Sequence, residues 1–145
     1  MNSRGNKTKG LNYVKGDHNS LSLVLTRYIN EMHELNEKSH TLSGIDTQII
    51  MNAITSDLHV ALKQIIDFDN VSIEQLNLLG FRKITTSKGT NGITIYLIPE
   101  YILPILPIGL KVIDFYDGRE IVYDGSNIDD EIDNGYLSVG LIPTI

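Results

Sequence analysis

The sequence predicts an α+β fold: an N-terminal helical lobe of two to three helices, followed by a small antiparallel, SH3-like or partly open β-barrel. Three observations support it. Apolar residues recur at helical spacing up to about residue 80, shorter strand-like runs follow, and turn residues separate those runs. Helices grouped before strands are typical of α+β proteins and not of alternating α/β proteins.

These patterns divide the chain into three regions. We expect residues 1–19 to form a basic arm that could be flexible, residues 20–80 to form the helical region, and residues 81–145 to form the β-rich region. At 145 residues the chain has the length of one domain. We therefore expect the helical and β-rich regions to pack together as one compact unit.

The first helix is predicted from Ser20 to about Lys38, with Asn19 or Ser20 accepting a backbone N–H bond at its start. One face of this helix collects its apolar residues, which are Leu21, Val24, Leu25, Tyr28, Met32 and Leu35. Their spacing follows the 3.6-residue helical period.

The second helix is predicted over Ile45 to Ile66, with Ser43 as its cap. Its apolar stripe is broad, so either the helix is central to the fold or its second side meets another copy of the protein. The polar run 55–57 offers a point at which the helix could divide into two shorter helices. A short third helix follows, because Ser72 and Gln75 have capping-box spacing and Gly80 suits a left-handed C-cap.

Five short strands are predicted in the β-rich region, within the runs FRKITTS, ITIYLIP, LKVIDFY, REIVY and GYLSVGLIP. Asp117 and Gly118 favour a two-residue hairpin, because both residue types accept a positive φ.

The run YLIPEYILPILPIG, residues 96–109, is the most distinctive part of the chain. Its three prolines and Glu100 argue against a membrane helix, and proline also excludes one continuous central strand. We interpret the run as a strand, a short turn and a proline-stiffened corner. Its apolar residues close the core of the β-rich region, and those left over contact a protein partner. The residues predicted to bind protein are Tyr96, Glu100, Tyr101, Ile102 and Leu106.

A second candidate site is cationic. Arg82, Lys83 and Lys88 lie close together in sequence and suit an anion, such as a nucleotide signal held between protomers with a stacking tyrosine. Lys88 belongs to the sequence SKGTNG, which lacks the first glycine of a phosphate-binding loop and joins two strands. That segment is therefore predicted to be a hairpin tip.

No catalytic, cofactor or metal signature is present. The absence of cysteine removes disulfides and thiolate chemistry, the four histidines form no HExxH pattern, and the acidic run YDGSNIDDEIDNG does not fit the spacing of a calcium loop. We therefore expect no enzyme activity, no catalytic residues, no cofactor and no metal.

Charge is uneven along the chain. The net charge is −6, but residues 1–19 carry four basic side chains against one acid, and residues 91–145 carry two against nine. Four cations make a weak footprint for nucleic acid, so binding through the arm is only a third hypothesis. The N-terminal stretch lacks the apolar segment of a secretory signal, and the expected location is cytoplasmic, without membrane association.

The chain is similar in manner to small accessory proteins of bacteriophages and mobile elements. The likeness rests on its short length, its lack of Cys and Trp, its Ile- and Asn-rich composition, and its helical front joined to a β-rich end. It implies an anti-defence or host-directed binding role. The leading hypothesis is therefore a non-enzymatic, oligomeric binding protein that acts by occupying a protein partner. A small-molecule-binding protein is the alternative.

Overall fold

The computed structural model describes residues 13–86, 92–128 and 134–144. The chain divides into two compact units, with the boundary between Ile66 and Asp67. The first unit holds two long helices, and the second holds a short helix, a 3-10 helix and a five-stranded sheet. The α+β prediction with helices first is confirmed. The packing of all regions as one compact unit stays a prediction.

Helix α1 spans His18–Lys38, and its cap is Asp17. The Asp17 carboxylate accepts hydrogen bonds from the backbone N–H groups of Asn19 and Ser20, both at 3.2 Å. The Ser20 hydroxyl donates to the same carboxylate at 2.8 Å and lowers the pKa of Asp17, and the two backbone bonds add to the effect. The prediction of Asn19 or Ser20 as the cap was wrong, because a carboxylate one turn earlier satisfies more free N–H groups.

Helix α2 spans Gly44–Ile65 and packs against α1. The Ser43 hydroxyl oxygen accepts from the Asp46 backbone N–H at 3.1 Å, which confirms the predicted cap. The helix does not split at residues 55–57. The Thr55 hydroxyl instead donates to the Met51 carbonyl at 2.9 Å, an interaction that threonine makes inside a continuing helix.

Helix α3 spans Ile73–Leu78 and begins with the predicted capping box. The Ser72 hydroxyl accepts from the Gln75 N–H at 3.1 Å, and the Gln75 side chain accepts from the Ser72 N–H at 3.2 Å. Gly80 follows the helix with a φ of +88°, which is the left-handed conformation predicted for it.

The sheet contains five antiparallel strands in the order β1-β2-β5-β3-β4. Their bounds are Arg82–Thr85 for β1, Thr94–Pro99 for β2, Lys111–Asp114 for β3, Glu120–Val122 for β4 and Tyr136–Leu141 for β5. Each lies within one of the predicted runs. Within the described residues β1 and β4 remain edges, so the sheet is open and not closed into a barrel.

The connection between β3 and β4 is longer than predicted. Strand β3 ends at Asp114, whose carboxylate accepts from the backbone N–H groups of Tyr116 and Asp117 at 3.0 and 2.9 Å. Gly118 has a φ of +70°, whereas Asp117 does not have a positive φ. The two-residue hairpin prediction was therefore wrong, because the Asp114 side chain stabilises a wider turn over residues 115–119.

The proline-rich corner is a 3-10 helix, Glu100–Ile105, preceded by Pro99 at the end of β2. The Glu100 backbone N–H donates to the Gly135 carbonyl at 2.9 Å and joins the corner to the start of β5. The predicted short turn exists and includes Pro104. No helix in the described parts of the chain is both long enough and apolar enough to cross a membrane.

Candidate ligand-binding site

The predicted protein-binding residues lie mostly in the interior. Tyr96, Ile102 and Leu106 are buried, with 3 %, 0 % and 7 % of their surfaces exposed. Tyr101 is half-buried, and Glu100 is exposed. The grouping of these five as a contact surface stays a prediction. Their burial favours the other role that the sequence suggested, which is closure of the core.

Tyr101 has a specific structural contact. Its hydroxyl donates to the backbone carbonyl of Leu79, at the end of α3, over 2.6 Å. This bond fastens the 3-10 helix to α3 within the second unit. Beyond the 3-10 helix, Ile108 is 76 % exposed. The exposed large apolar side chain of this run therefore lies after its last proline.

The cationic residues do not converge. Arg82 and Lys83 are consecutive residues of β1, and consecutive strand residues point to opposite faces of a sheet. Both are exposed. Lys88 lies outside the described residues. The structure therefore gives no common site to Arg82 and Lys83, and Arg82 acts with the residues of its own sheet face.

Arg82 lies against an aromatic ring. Its guanidinium carbon is 6.0 Å from the centroid of the Tyr136 ring, at the outer limit of a cation–π contact. No carboxylate of the described chain is within ion-pairing distance of this guanidinium. Within the described residues, its N–H donors are therefore available to an anion from solution.

Next to Arg82 the sheet has a small cavity of about 110 Å³. It is lined by Arg82, Ile84, Leu97, Phe115, Tyr116, Leu137 and Ser138. We call this set of residues, together with Tyr136, the Arg82 site. Its apolar floor borders the buried cluster of Ile95, Leu97 and Ile113. The hydroxyl of Ser138 makes no hydrogen bond within residues 13–86, 92–128 and 134–144.

Aromatic rings form one wall of the Arg82 site. The rings of Phe115 and Tyr116 meet edge to face, with centroids 5.0 Å apart and planes at 60°. Tyr116 is 65 % exposed, and its backbone is held by the Asp114 carboxylate. An exposed ring on a fixed backbone offers a stacking surface at little cost in ordering.

Sequence reasoning selected Arg82 and a stacking tyrosine but did not identify Phe115, Tyr116, Tyr136 or Ser138. With Arg82, these residues come from three separate parts of the chain and meet because β5 inserts between β2 and β3. The register that pairs Arg82 with Leu97 on the neighbouring strand is seen only in the structure.

The described residues contain no group of three or more His, Asp or Glu side chains arranged to hold a metal ion. Asp124, at the start of the acidic run, accepts a backbone bond from Ser126 at 2.8 Å. That bond is the largest cause of a lowered pKa for Asp124, and the Ser126 hydroxyl also contributes. Residues 129–133 of the run lie outside the described residues.

Comparison with models of known families gives no match, and no curated protein or solved structure matches the chain significantly.

Proposed function

We propose that this chain is a non-enzymatic binding protein that holds a small planar molecule with one negative charge at the Arg82 site. The observation that supports it is an exposed guanidinium that has no carboxylate partner among the described residues and lies beside Tyr136 at the mouth of an aromatic-lined cavity. Arginine offers paired N–H donors that match a carboxylate.

The size of the cavity favours one ring. A cavity of about 150 Å³ is known to hold a benzene ring, so 110 Å³ with an open mouth fits a ring of that size partly inserted. Leu97 would contact its face, and Tyr116 would stack on its exposed side. The Ser138 hydroxyl is available to donate to a second ligand oxygen.

The charge arrangement favours a monoanion over a polyphosphate. Among the described cationic residues, Arg82 alone lines the cavity, and Lys83 lies on the opposite face of β1. The chain carries a net charge of −6, which repels highly charged anions at long range. These charges favour an aromatic carboxylate over a nucleotide as the ligand class.

The test uses benzoate as the probe, its neutral analogue benzamide as the ligand control, and calorimetry or NMR titration of the full chain. A charge-assisted hydrogen bond contributes about 1.5–3 kcal/mol. We therefore expect Arg82→Gln to raise the Kd for benzoate by about tenfold or more. Lys83→Gln is the matched control and should leave the Kd unchanged.

Equal effects of the two substitutions, or equal affinity for benzoate and benzamide, would contradict the proposal. Adenosine monophosphate in parallel tests the nucleotide reading, and tighter binding of it than of benzoate would make a nucleotide the ligand class.

A second candidate function is binding to a protein partner and blocking its surface, which the resemblance to accessory proteins implies. A groove of about 390 Å³ supports it. Strands β3 and β5 pair at Ile113 with Gly140 and at Asp114 with Val139, and the groove lies where the two segments diverge. Its apolar lining is Phe68, Leu110, Ile113, Leu141 and Ile142. Walls made of extended chain suit an extended, apolar segment of a partner.

Ile142→Asp tests the groove. Ile142 is 49 % exposed, and Ile73 of α3, the matched control, is 47 % exposed. After affinity capture from a host lysate, we expect a captured protein to be lost with Ile142→Asp, because the new charge is desolvated in the contact. Ile73→Asp should retain it. Loss with both variants, or with neither, would exclude the groove as the contact surface.

A further inference from the structure

Helix α2 has an exposed apolar stripe that no described part of the chain covers. Ile45, Ile49 and Val60 are 75 %, 61 % and 59 % exposed, and Ala53 and Ser56 lie exposed between them. We call these five residues the α2 stripe. At 1.5 Å per residue the stripe is about 22 Å long.

The stripe lies opposite the buried side of the same helix. At 100° per residue, the mean direction of the α2 stripe is about 180° from that of Leu58, Leu62 and Ile65, which are at most 4 % exposed. The breadth of the apolar pattern in this helix therefore reflects two separate faces. One face is buried, and the other is apolar and exposed.

The stripe differs from ordinary surface in its lack of charge. None of its five residues is ionisable, although the chain has a net charge of −6. The surface of α1, in contrast, carries an ion pair between Arg27 and Glu31. A continuous uncharged strip of mostly apolar residues on one helix is typical of a helix–helix contact.

We propose that the α2 stripe binds the α2 stripe of a second copy of this chain, with the two helices antiparallel. When the helix is reversed about the midpoint between residues 54 and 55, Ala53 faces Ser56 of the second copy and Ile49 faces Val60 of the second copy. Small residues then meet at the centre, which permits an interaxial distance near the lower end of the usual range of about 8–10 Å. Large residues meet on either side of them.

Charge selects the antiparallel direction and supports a second copy as the occupant. Asp46 is the acidic residue of the first turn of α2, and Lys63 is the basic residue of its last turn. The same reversal places Asp46 at the level of Lys63 of the second copy. A parallel pair would bring each charge to its own like charge. The stripe is thus complementary to itself in size, and Asp46 and Lys63 at the two ends of the helix add complementarity in charge.

The contact is smaller than a standard interface, which covers about 800 Å² per partner. A single helix pair about 22 Å long covers less than that. We therefore expect a reversible dimer with a Kd near the micromolar range. The measured mass should depend on protein concentration.

Sedimentation equilibrium of the full chain, from low to high micromolar concentration, measures this association. The unsubstituted chain should move from monomer to dimer. Ile49→Asp should raise the dimer Kd by about tenfold or more, because it places an unpaired charge in the contact. Ile29→Asp is the matched control, since Ile29 is 63 % exposed on α1, and it should leave the Kd unchanged.

The absence of cysteine from the chain makes the direction of the helices measurable by cross-linking. An Ala53→Cys chain and a Ser56→Cys chain carrying different tags are mixed and oxidised. The antiparallel pair brings these two positions within disulfide reach, so a mixed disulfide should exceed either self-linked product. Ile49→Cys should link poorly to itself.

A monomer at every concentration would overturn the proposal, as would equal effects of Ile49→Asp and Ile29→Asp. Efficient self-linking of Ile49→Cys would overturn the antiparallel direction. The proposal does not rest on ligand binding at the Arg82 site. Benzoate titration of the Ile49→Asp variant keeps the two failures distinct, because Ile49 lies outside that site.

Discussion

Replacing Ile102 by alanine is expected to lower the free energy of unfolding by about 2–5 kcal/mol. Ile102 is 0 % exposed in the 3-10 helix, so the substitution removes buried methyl and methylene groups and leaves a cavity that its neighbours fill only partly. Against a typical total of about 5–15 kcal/mol, this loss is large. Urea unfolding followed by circular dichroism measures it.

Ile108→Ala is the matched control, because it makes the same change on the same corner at a side chain that is 76 % exposed. Its effect should stay within about 0.5 kcal/mol. If Ile102→Ala costs no more than Ile108→Ala, the corner does not close the core. The predicted partner surface of Tyr96, Glu100, Tyr101, Ile102 and Leu106 would then become the better account of these residues.

Gly140→Ala is expected to destabilise the sheet by about 1–3 kcal/mol. A Cβ atom at Gly140 would lie 2.7 Å from the carbonyl oxygen of Tyr96 and 3.0 Å from the Cδ1 atom of Ile95. The oxygen belongs to the backbone of β2 and cannot turn away as a side chain does. Strands β2 and β5 would therefore have to separate next to an existing register shift between Leu97 and Pro99.

The control for this prediction is Gly44→Ala, at the first residue of α2. A Cβ atom there has no neighbour within 4 Å, and alanine is the better helix former, so the change should be neutral or stabilising by up to about 1 kcal/mol. Urea unfolding of both variants gives the comparison. Equal stability of the two variants would show that close approach of β2 and β5 is not what requires glycine at position 140.

Much of the local structure followed from neighbouring residues. The caps at Ser43 and Ser72 and the left-handed Gly80 were predicted, because each depends on contacts within a few residues. The Asp17 cap and the wider turn at Asp114 were missed, because several nearby side chains competed for the same backbone N–H groups. The hydrogen-bond geometry decided between them.

Sequence reasoning could identify only some of the residues of the Arg82 site. Arg82 was selected for its charge, and strand alternation already separates it from Lys83. Tyr136 and Ser138 lie more than 50 residues further along the chain. Their place beside Arg82 depends on strand order, which no local pattern encodes.

The sequence by itself determined the class of the fold, the helices, the runs that hold the strands and the exclusion of known catalytic motifs. Each of these depends on periodicity, backbone preference or composition, which act over one turn or one strand. Only the tertiary structure decided which apolar side chains are buried in the core and which remain on the surface, because burial depends on contacts between distant segments. It buried Ile102 and Ile105 of the proline-rich corner and left one face of α2 exposed. It also placed an arginine that has no carboxylate partner among the described residues beside three aromatic rings.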